Sequence, residues 1–347
     1  MISYVPILKG KPGEFSAWRN AGSTVWDSTR PVFEVVPTKD PATDLAIFID
    51  RATSGWPPGR VMTVDTTALD QSPVAGTADG PTMWVARALH GRGIPARPVM
   101  HLDDAPAVLA EAAAAHELHH QGACLRLGTE KASPNVDATA TALPEMLATA
   151  GFKPADIDLL IDFQHVDSER TVGRVVPMAA ELVRWAAWAG DWRSVTVASG
   201  AFPASISNLP AGSHTPLPRH DVDLWRRLVT NTKLPIQPDY GDYAVTHPIP
   251  PAVGWPPNPN LRYTHAGEWW VWRERKNRPG NKSFFTLCGR VVRSAAWTRE
   301  QFSWGDHEIH RCSHDAGGAG TATQWRAYGT SHHLATVTDR LATLGAP

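Results

Sequence analysis

Eight short apolar runs of strand composition recur along this chain: residues 2–8, 31–36, 61–65, 96–100, 123–127, 157–162, 194–198 and 242–246. Amphipathic helical stretches fall between them, and polar residues crowd the exits of the runs. Parallel strands cannot be joined by tight turns; each pair needs a crossover of roughly a dozen residues or more, usually a helix. The rhythm therefore predicts a single (β/α)8, TIM-like barrel, whose chemistry is expected where strands end and helices begin.

The helix signals agree. Asp40-Pro41 supplies an N-cap and a first-turn proline for a helix carrying Leu45, Phe48 and Ile49. Asp104 is expected to open another that runs to His116, Leu143–Ala150 a third, and Arg174–Ala189 a longer one stopped by Gly190. Leu224, Leu228 and Val229 mark a further helix after the seventh run. Two segments compete for the eighth strand, Asp242–Thr246 and Glu268–Arg273. The first is taken as the barrel strand and the second as a hairpin partner of Leu261–Thr264, through a three-residue turn at His265-Ala266-Gly267. Ser283–Ser294 reads as a helix, and a glycine-rich stretch at 317–320 precedes a closing helix with Leu334, Val337, Leu341 and Leu344 on one face. The expected organisation is one domain over 1–347, with the hairpin and barrel-closing helices inside 255–347.

Composition narrows the function classes. With 33 basic and 34 acidic residues in 347, there is no global positive field for non-specific nucleic-acid binding. No apolar run approaches the ~20 residues that span a bilayer, so no membrane role is expected. Three widely spaced cysteines, Cys124, Cys288 and Cys312, favour a reduced, cytoplasmic protein over a disulfide scaffold. The prolines cluster in loops, at Trp56-Pro57-Pro58 and between Pro248 and Pro259, as rigid connections at a barrel mouth would.

In a barrel, the strand exits gather Lys9, Lys11, Glu34, Asp65, His101 with Asp103, Arg126, Asp162 with Gln164, Ser199 and His247 into one mouth. Carboxylates there can hold a divalent cation or transfer protons, and cations can neutralise phosphate oxygens. The expected catalytic groups are Glu34, Asp65 and Asp162; the expected phosphate-binding groups are Lys9, Lys11, Arg126 and Gln164. Trp270 or Trp304 would supply an apolar wall for a base or sugar. Glu34 interrupts an apolar run, where an unpaired charge is costly, so Lys9 on the neighbouring strand is its expected partner. Thr330 or Ser331 would cap the closing helix and put His332 and His333 in its first turn, where they, Arg326 and free N–H groups could hold phosphate.

Two metal patterns carry less. His116-Glu117-Leu118-His119-His120 matches H-E-x-x-H, but Gly122 stops the helix at the face away from the mouth. His307, His310, Cys312 and His314 are zinc-type ligands compressed into eight residues, and a polar surface loop accounts for them as well. There is no G-x-S-x-G elbow, P-loop or dinucleotide fingerprint.

The chain's ends carry a resemblance. Tyr4-Val5-Pro6-Ile7-Leu8-Lys9-Gly10-Lys11-Pro12-Gly13-Glu14-Phe15, then Pro31-Val32-Phe33-Glu34-Val35, resemble the opening of the beta family proteins of phages and bacteria. Phe302-Ser303-Trp304-Gly305-Asp306 and Trp325-Arg326-Ala327-Tyr328-Gly329-Thr330-Ser331-His332-His333-Leu334 resemble their end. The resemblance implies a part in phage–host conflict and brings no particular reaction with it. Two functions are therefore expected in competition. One is a barrel enzyme acting on a phosphoester of a nucleotide or nucleic acid. The other is a non-catalytic barrel that binds a host or phage protein through an exposed aromatic hairpin around Trp269, Trp270 and Trp272.

Overall fold

A computed structural model describes residues 3–129, 132–231, 233–249, 258–276 and 279–347. Ile2 of the first run and residues 250–257 of the proline cluster lie outside the described residues. Eleven strands are described: β1 (Tyr4–Leu8), β2 (Val32–Glu34), β3 (Met62–Asp65), β4 (Ala96–Met100), β5 (Ala123–Leu127), β6 (Ile157–His165), β7 (Ser194–Gly200), β8 (Ser213–Pro218), β9 (Asp239–Asp242), β10 (Asn260–His265) and β11 (Glu268–Arg273). The helices are α1 (Pro12–Arg19), α2 (Ser23–Ser28), α3 (Pro41–Thr53), α4 (Pro81–His90), α5 (Pro106–His119), α6 (Val136–Ala150), α7 (Glu169–Ala189), α8 (His220–Asn231), α9 (Ser283–Val292), α10 (Trp304–Ser313) and α11 (Ala322–Leu344). None is long and apolar enough to cross a membrane.

Strands β1 to β7 and β9 close a parallel barrel in that order, the seam running β7–β9–β1. At the seam Val5 and Ala198 both crowd Gly241, where a Cβ would lie 2.7 Å from the Ala198 Cβ and 3.0 Å from the Val5 carbonyl oxygen. Only glycine closes the ring at that separation. The eighth barrel strand thus covers 239–242 rather than the expected 242–246. Ala244 turns to positive φ, with its N–H on Asp242 Oδ1 at 2.8 Å, which ends the strand early.

Because side chains alternate across a strand, the barrel interior takes every second residue. Val5, Ile7, Val32, Val99, Cys124, Leu160, Ala198 and Tyr243 pack there as an apolar layer. Beneath it Asp158 accepts from Arg97 Nη1 (2.6 Å), Arg193 Nε (2.9 Å) and Ser194 Oγ (2.7 Å), a polar plug at the strand starts. The opposite strand residues face the helices in two larger apolar clusters, one around Phe33, Phe48 and Trp225, the other around Leu159, Val183 and Leu228.

The hairpin forms β10 and β11, paired from Asn260↔Arg273 to His265↔Glu268, so the turn is the two residues Ala266-Gly267 and not three. Ala266 accommodates this with positive φ. A third strand, β8, adds to β11 antiparallel. Its run Ser-His-Thr-Pro-Leu-Pro is too proline-rich to read as a strand, and it is tolerated because prolines suit an edge. Helices α9, α10 and α11 cover this sheet around Phe284, Ile309 and Trp325.

Several boundaries depart from expectation. Helix α5 begins at Pro106 with Ala105 as cap; Asp104 instead folds back to accept the His101 N–H at 2.8 Å. Helix α6 starts at Val136, capped by Asn135, and tolerates Pro144 inside. Residues 304–313 are helix α10, not a surface loop, opened by the Ser303 cap on the Asp306 N–H at 3.1 Å. The closing helix begins at Ala322, eight or nine residues before the expected cap at Thr330 or Ser331, where Gln324 Oε1 accepts the Thr321 N–H at 3.0 Å.

Candidate functional site

Alternation along the barrel strands carries the same inner rows to their C-terminal ends. Ile7 is followed by Lys9, Val32 by Glu34, Thr63 by Asp65, Val99 by His101, Cys124 by Arg126, and Leu160 by Asp162. The three carboxylates converge on the Arg126 guanidinium, with Lys9 bound to Glu34 and His101 to Asp65 beside them. Arg126 donates Nε and Nη2 to Asp162 Oδ2 (3.0 and 2.7 Å), Nη1 to Glu34 Oε1 and Asp65 Oδ2 (2.8 Å each), and Nη2 to Tyr243 Oη (2.6 Å). Glu34 also pairs with Lys9, and the Lys9 ammonium sits 5.0 Å from the Tyr243 ring centroid.

Asp162 is sealed. It is 0% exposed, and Arg126, Tyr243 Oη, the Gln164 side chain (2.7 Å) and the Gln164 N–H (2.8 Å) all donate to it. Gln164 makes both bonds only because it adopts positive φ at a register shift in β6, a strained conformation of the kind that persists where the surroundings over-determine it. Beyond the network, Gly128 at φ +94° lets the chain pass the Asp162 carbonyl, which a Cβ would meet at 2.2 Å.

Asp65 faces the other way, to His101 Nε2 at 3.4 Å and the Thr67 N–H at 3.0 Å. Burial pushes the Asp65 carboxyl up, but the His101 ring and the Arg126 guanidinium outweigh it and hold the group far below the usual carboxylate range. Burial pushes His101 down, and Asp65 reverses that, raising the imidazole above its ordinary value. A cavity of about 600 Å³ opens over the network. Lys9, Lys11, Glu34, Asp65, His101, Arg126 and Gln164 form its polar lining, and Val35, Val36, Pro37, Pro248 and Ile249 its apolar side. Neither Trp270 nor Trp304 reaches it; the expected aromatic wall is aliphatic.

The structure brings Lys9, Lys11, Glu34, Asp65, His101, Arg126, Asp162 and Gln164 to one mouth. Tyr243 joins them; its inner-row position beyond β9 is the signal the sequence offers for it. Asp103 is exposed, and Ser199 is buried within β7; both lie away from the cavity lining. His247 lines an adjoining pocket, its Nδ1 bound to the Ile249 backbone.

The expected phosphate role of His332 and His333 is corrected. Both are 0% exposed in the middle of α11. His332 bridges Asp306 Oδ2 (2.9 Å) and the Thr264 carbonyl (2.8 Å), and His333 bridges Thr264 Oγ1 (2.7 Å) and Asp242 Oδ2 (2.9 Å). Arg326, one turn inside α11, does reach the adjoining pocket.

A divalent cation does not fit the three carboxylates. They converge on Arg126, whose guanidinium occupies the position an ion would need. The zinc-type set is likewise not gathered: His307 and His310 lie beside Glu300, while Cys312 is buried in the core. At the H-E-x-x-H run, His119 is bound to the Ala96 N–H and the Ala86 carbonyl, and His116 to the Gly122 N–H. The hairpin tryptophans are not an exposed patch either. Trp269 and Trp272 are buried, and Trp270 is half-buried, stacked on His214 at 4.1 Å.

A family model described as Beta protein matches residues 4–339. No curated protein matches the chain. Among solved structures, the triosephosphate isomerase of Bartonella henselae is similar at 12% identity and a TM-score of 0.35, over 70% of this chain and 91% of that one.

Proposed function

The chain belongs to the Beta protein family, and from the charge and shape of its barrel mouth we propose that it hydrolyses a phosphoester in a ligand of nucleotide size. The observation that carries this reading is a cavity of about 600 Å³, within the range of small-molecule sites, lined by Lys9, Lys11, Glu34, Asp65, His101 and Arg126 at the strand exits. The chain is near-neutral overall, so no global positive field draws in a polymer, which favours a nucleotide-sized phosphoester over nucleic acid.

The residues divide the work. Glu34 has the most exposed of the three carboxylates, at 15% against 5% for Asp65 and 0% for Asp162. It takes the proton of the attacking water. Lys11, lowered from the ordinary lysine value by burial and by neighbouring cations, contacts the phosphoryl oxygens and returns a proton to the departing oxygen. Arg126 is the fixed positive charge beneath the phosphoryl group, held by Asp162 and Tyr243; Asp65 and His101 set the field around it. Water adds to phosphorus, the P–O ester bond breaks, and the leaving oxygen departs protonated. No step is routed through a metal. The reading places this activity in phage–host conflict, as the family resemblance implies, and in the cytoplasm, which three buried free cysteines suit.

The test is release of nitrophenolate from p-nitrophenyl phosphate and bis(p-nitrophenyl) phosphate by the full chain. Glu34→Gln keeps the side chain's shape and one of the two acceptor oxygens that Lys9 and Arg126 use; folding is followed by circular dichroism, and the rate should drop roughly a hundredfold or more. Absence of both turnover and competitive binding by phosphate esters would sink the reading, as would a Glu34→Gln enzyme at the parental rate.

A further inference from the structure

Behind Lys9 and Lys11 lies a second, smaller cavity of about 280 Å³, between the first turns of α1 and α11. Gly13 lets the two helices meet; a Cβ there would stand 2.7 Å from the Thr323 carbonyl oxygen. Arg262 and Arg326 line the cavity together with both lysines, so four cations face it.

Their compensation is incomplete. Lys9 is committed to Glu34. Arg262 gives one Nη to the Val245 carbonyl and lies over the Phe202 ring at 4.1 Å, while its Nε is buried without a partner. Arg326 has no hydrogen-bond partner among the described residues, and the two guanidinium groups repel each other. The nearest carboxyl is Glu14, 1% exposed, with Oε1 buried and unpartnered. Burial raises it, while the Lys11 N–H on Oε2 and the nearby Arg326, Lys11 and Lys9 draw it down. Burial also pushes Arg326 down to about 10, and its side chain is half-buried. Ala322 and Thr323, the first two residues of α11, complete the wall and carry N–H groups that no helix carbonyl can satisfy. Arg262 and Arg326 are half-buried and Lys11 is exposed, so water screens part of their repulsion, and an anion in this cavity supplies the counter-charge they lack.

We propose that this cavity is an anion subsite that receives a second phosphate of the ligand whose phosphoester occupies the mouth, making the ligand class a molecule with two separated phosphates. The inference rests on the phosphoester reading of the mouth, with Lys9 and Lys11 as the wall common to both cavities.

The test is calorimetric titration of the full chain with inorganic phosphate, adenosine monophosphate and adenosine bisphosphate. The bisphosphate should bind at least tenfold more tightly than the monophosphate, and Arg326→Gln should erase that gap and weaken inorganic phosphate about tenfold or more. Arg326→Lys, which keeps the charge, should restore part of the gap and serves if the glutamine variant melts early. Equal affinity for the two nucleotides in the parent overturns the proposal, as does phosphate binding indifferent to Arg326→Gln. Glu34→Gln separates the two readings: it should stop turnover without weakening phosphate binding, since it removes a negative charge beside Lys9. Bisphosphate selectivity in a parent without turnover would uphold the subsite and sink the hydrolase.

Discussion

Removing the Arg126 side chain is the sharpest probe of the mouth. Arg126→Met preserves much of the apolar stem and deletes a guanidinium that makes five hydrogen bonds to Glu34, Asp65, Asp162 and Tyr243. Arg126 and Asp65 are each about 5% exposed on the side chain and Asp162 is fully buried, so solvent cannot take over. Breaking a buried pair by deleting one partner costs about 3–5 kcal/mol, because the stranded charge is what destabilises. Unfolding entropy of about 2 cal/mol/K per residue over this chain converts that to a fall of roughly 4–7 °C in Tm. The sign of the pH dependence is fixed by Asp65. In the parent its carboxyl is held far down, so its contribution is full above the unfolded value near 3.9 and disappears only as pH falls through the folded one. Without the guanidinium, Asp65 takes up a proton at higher pH, which relieves the stranded charge. The deficit of Arg126→Met should therefore be largest near pH 7 and shrink towards pH 5, measured by thermal melts at each pH. Arg126→Lys should recover only part, since an ammonium cannot fork to four acceptors. A Met variant that melts within about a degree of the parent at pH 7, or whose deficit is flat with pH, refutes the reasoning.

Three further outcomes follow from the same geometry. His101 is raised above the ordinary imidazole value by Asp65, so its stabilisation is full below pH ~6.5 and lost as pH rises through the folded value; the stability difference between parent and His101→Gln should narrow above neutrality, read by denaturant titration across pH. His332→Gln should cost about 2–4 kcal/mol by unseating Asp306 and the Tyr263 stack at 3.7 Å, while phosphate affinity by calorimetry stays at the parental value; loss of phosphate binding in a folded variant would return His332 to the anion site. Trp269→Ala should behave as a core truncation, losing about 3–5 kcal/mol where the indole meets Phe202 at 5.2 Å and Arg219 at 5.4 Å; a stable variant that only loses a protein partner would revive the binding-scaffold reading.

The barrel was readable because parallel strands buried on both faces leave continuous apolar runs, and the crossover helices leave a second period between them. Where chain conformation depends on tertiary contact, the reading slipped. The end of β9 is set by an Asp242 side chain capturing the Ala244 N–H, and β8 is a strand only because β11 offers it an edge. The closing helix was misplaced for a similar reason. Thr330 and Ser331 look like caps in isolation, yet both are buried mid-helix, and Ser331 Oγ accepts the Gly305 N–H at 3.0 Å instead. His332 and His333 moved with that boundary, from an exposed first turn to the interior.

The mouth shows how far residue type alone carries. Lysine, glutamate and aspartate at strand exits signalled a polar centre, and two-residue alternation from Ile7, Val32, Thr63, Val99, Cys124 and Leu160 points each marked residue inward. Alternation does not say which charges are spent on one another. Three carboxylates that could have framed a cation are instead drawn together by Arg126 from the fifth strand, itself one of the residues expected to clamp phosphate. That exchange of roles decides the chemistry the site can offer. With Arg126 and Asp162 committed to each other, the groups that face a ligand are Lys11 and Glu34, the latter already paired with Lys9 and Arg126 but the most exposed of the three carboxylates, and beside them the under-compensated Arg262 and Arg326. The reactive edge of the site therefore lies on the β1–α1 side of the mouth and not at its axis. Substitutions at Lys11 and Glu34 should accordingly act on ligand and rate, while those at Arg126 and Asp162 act first on stability.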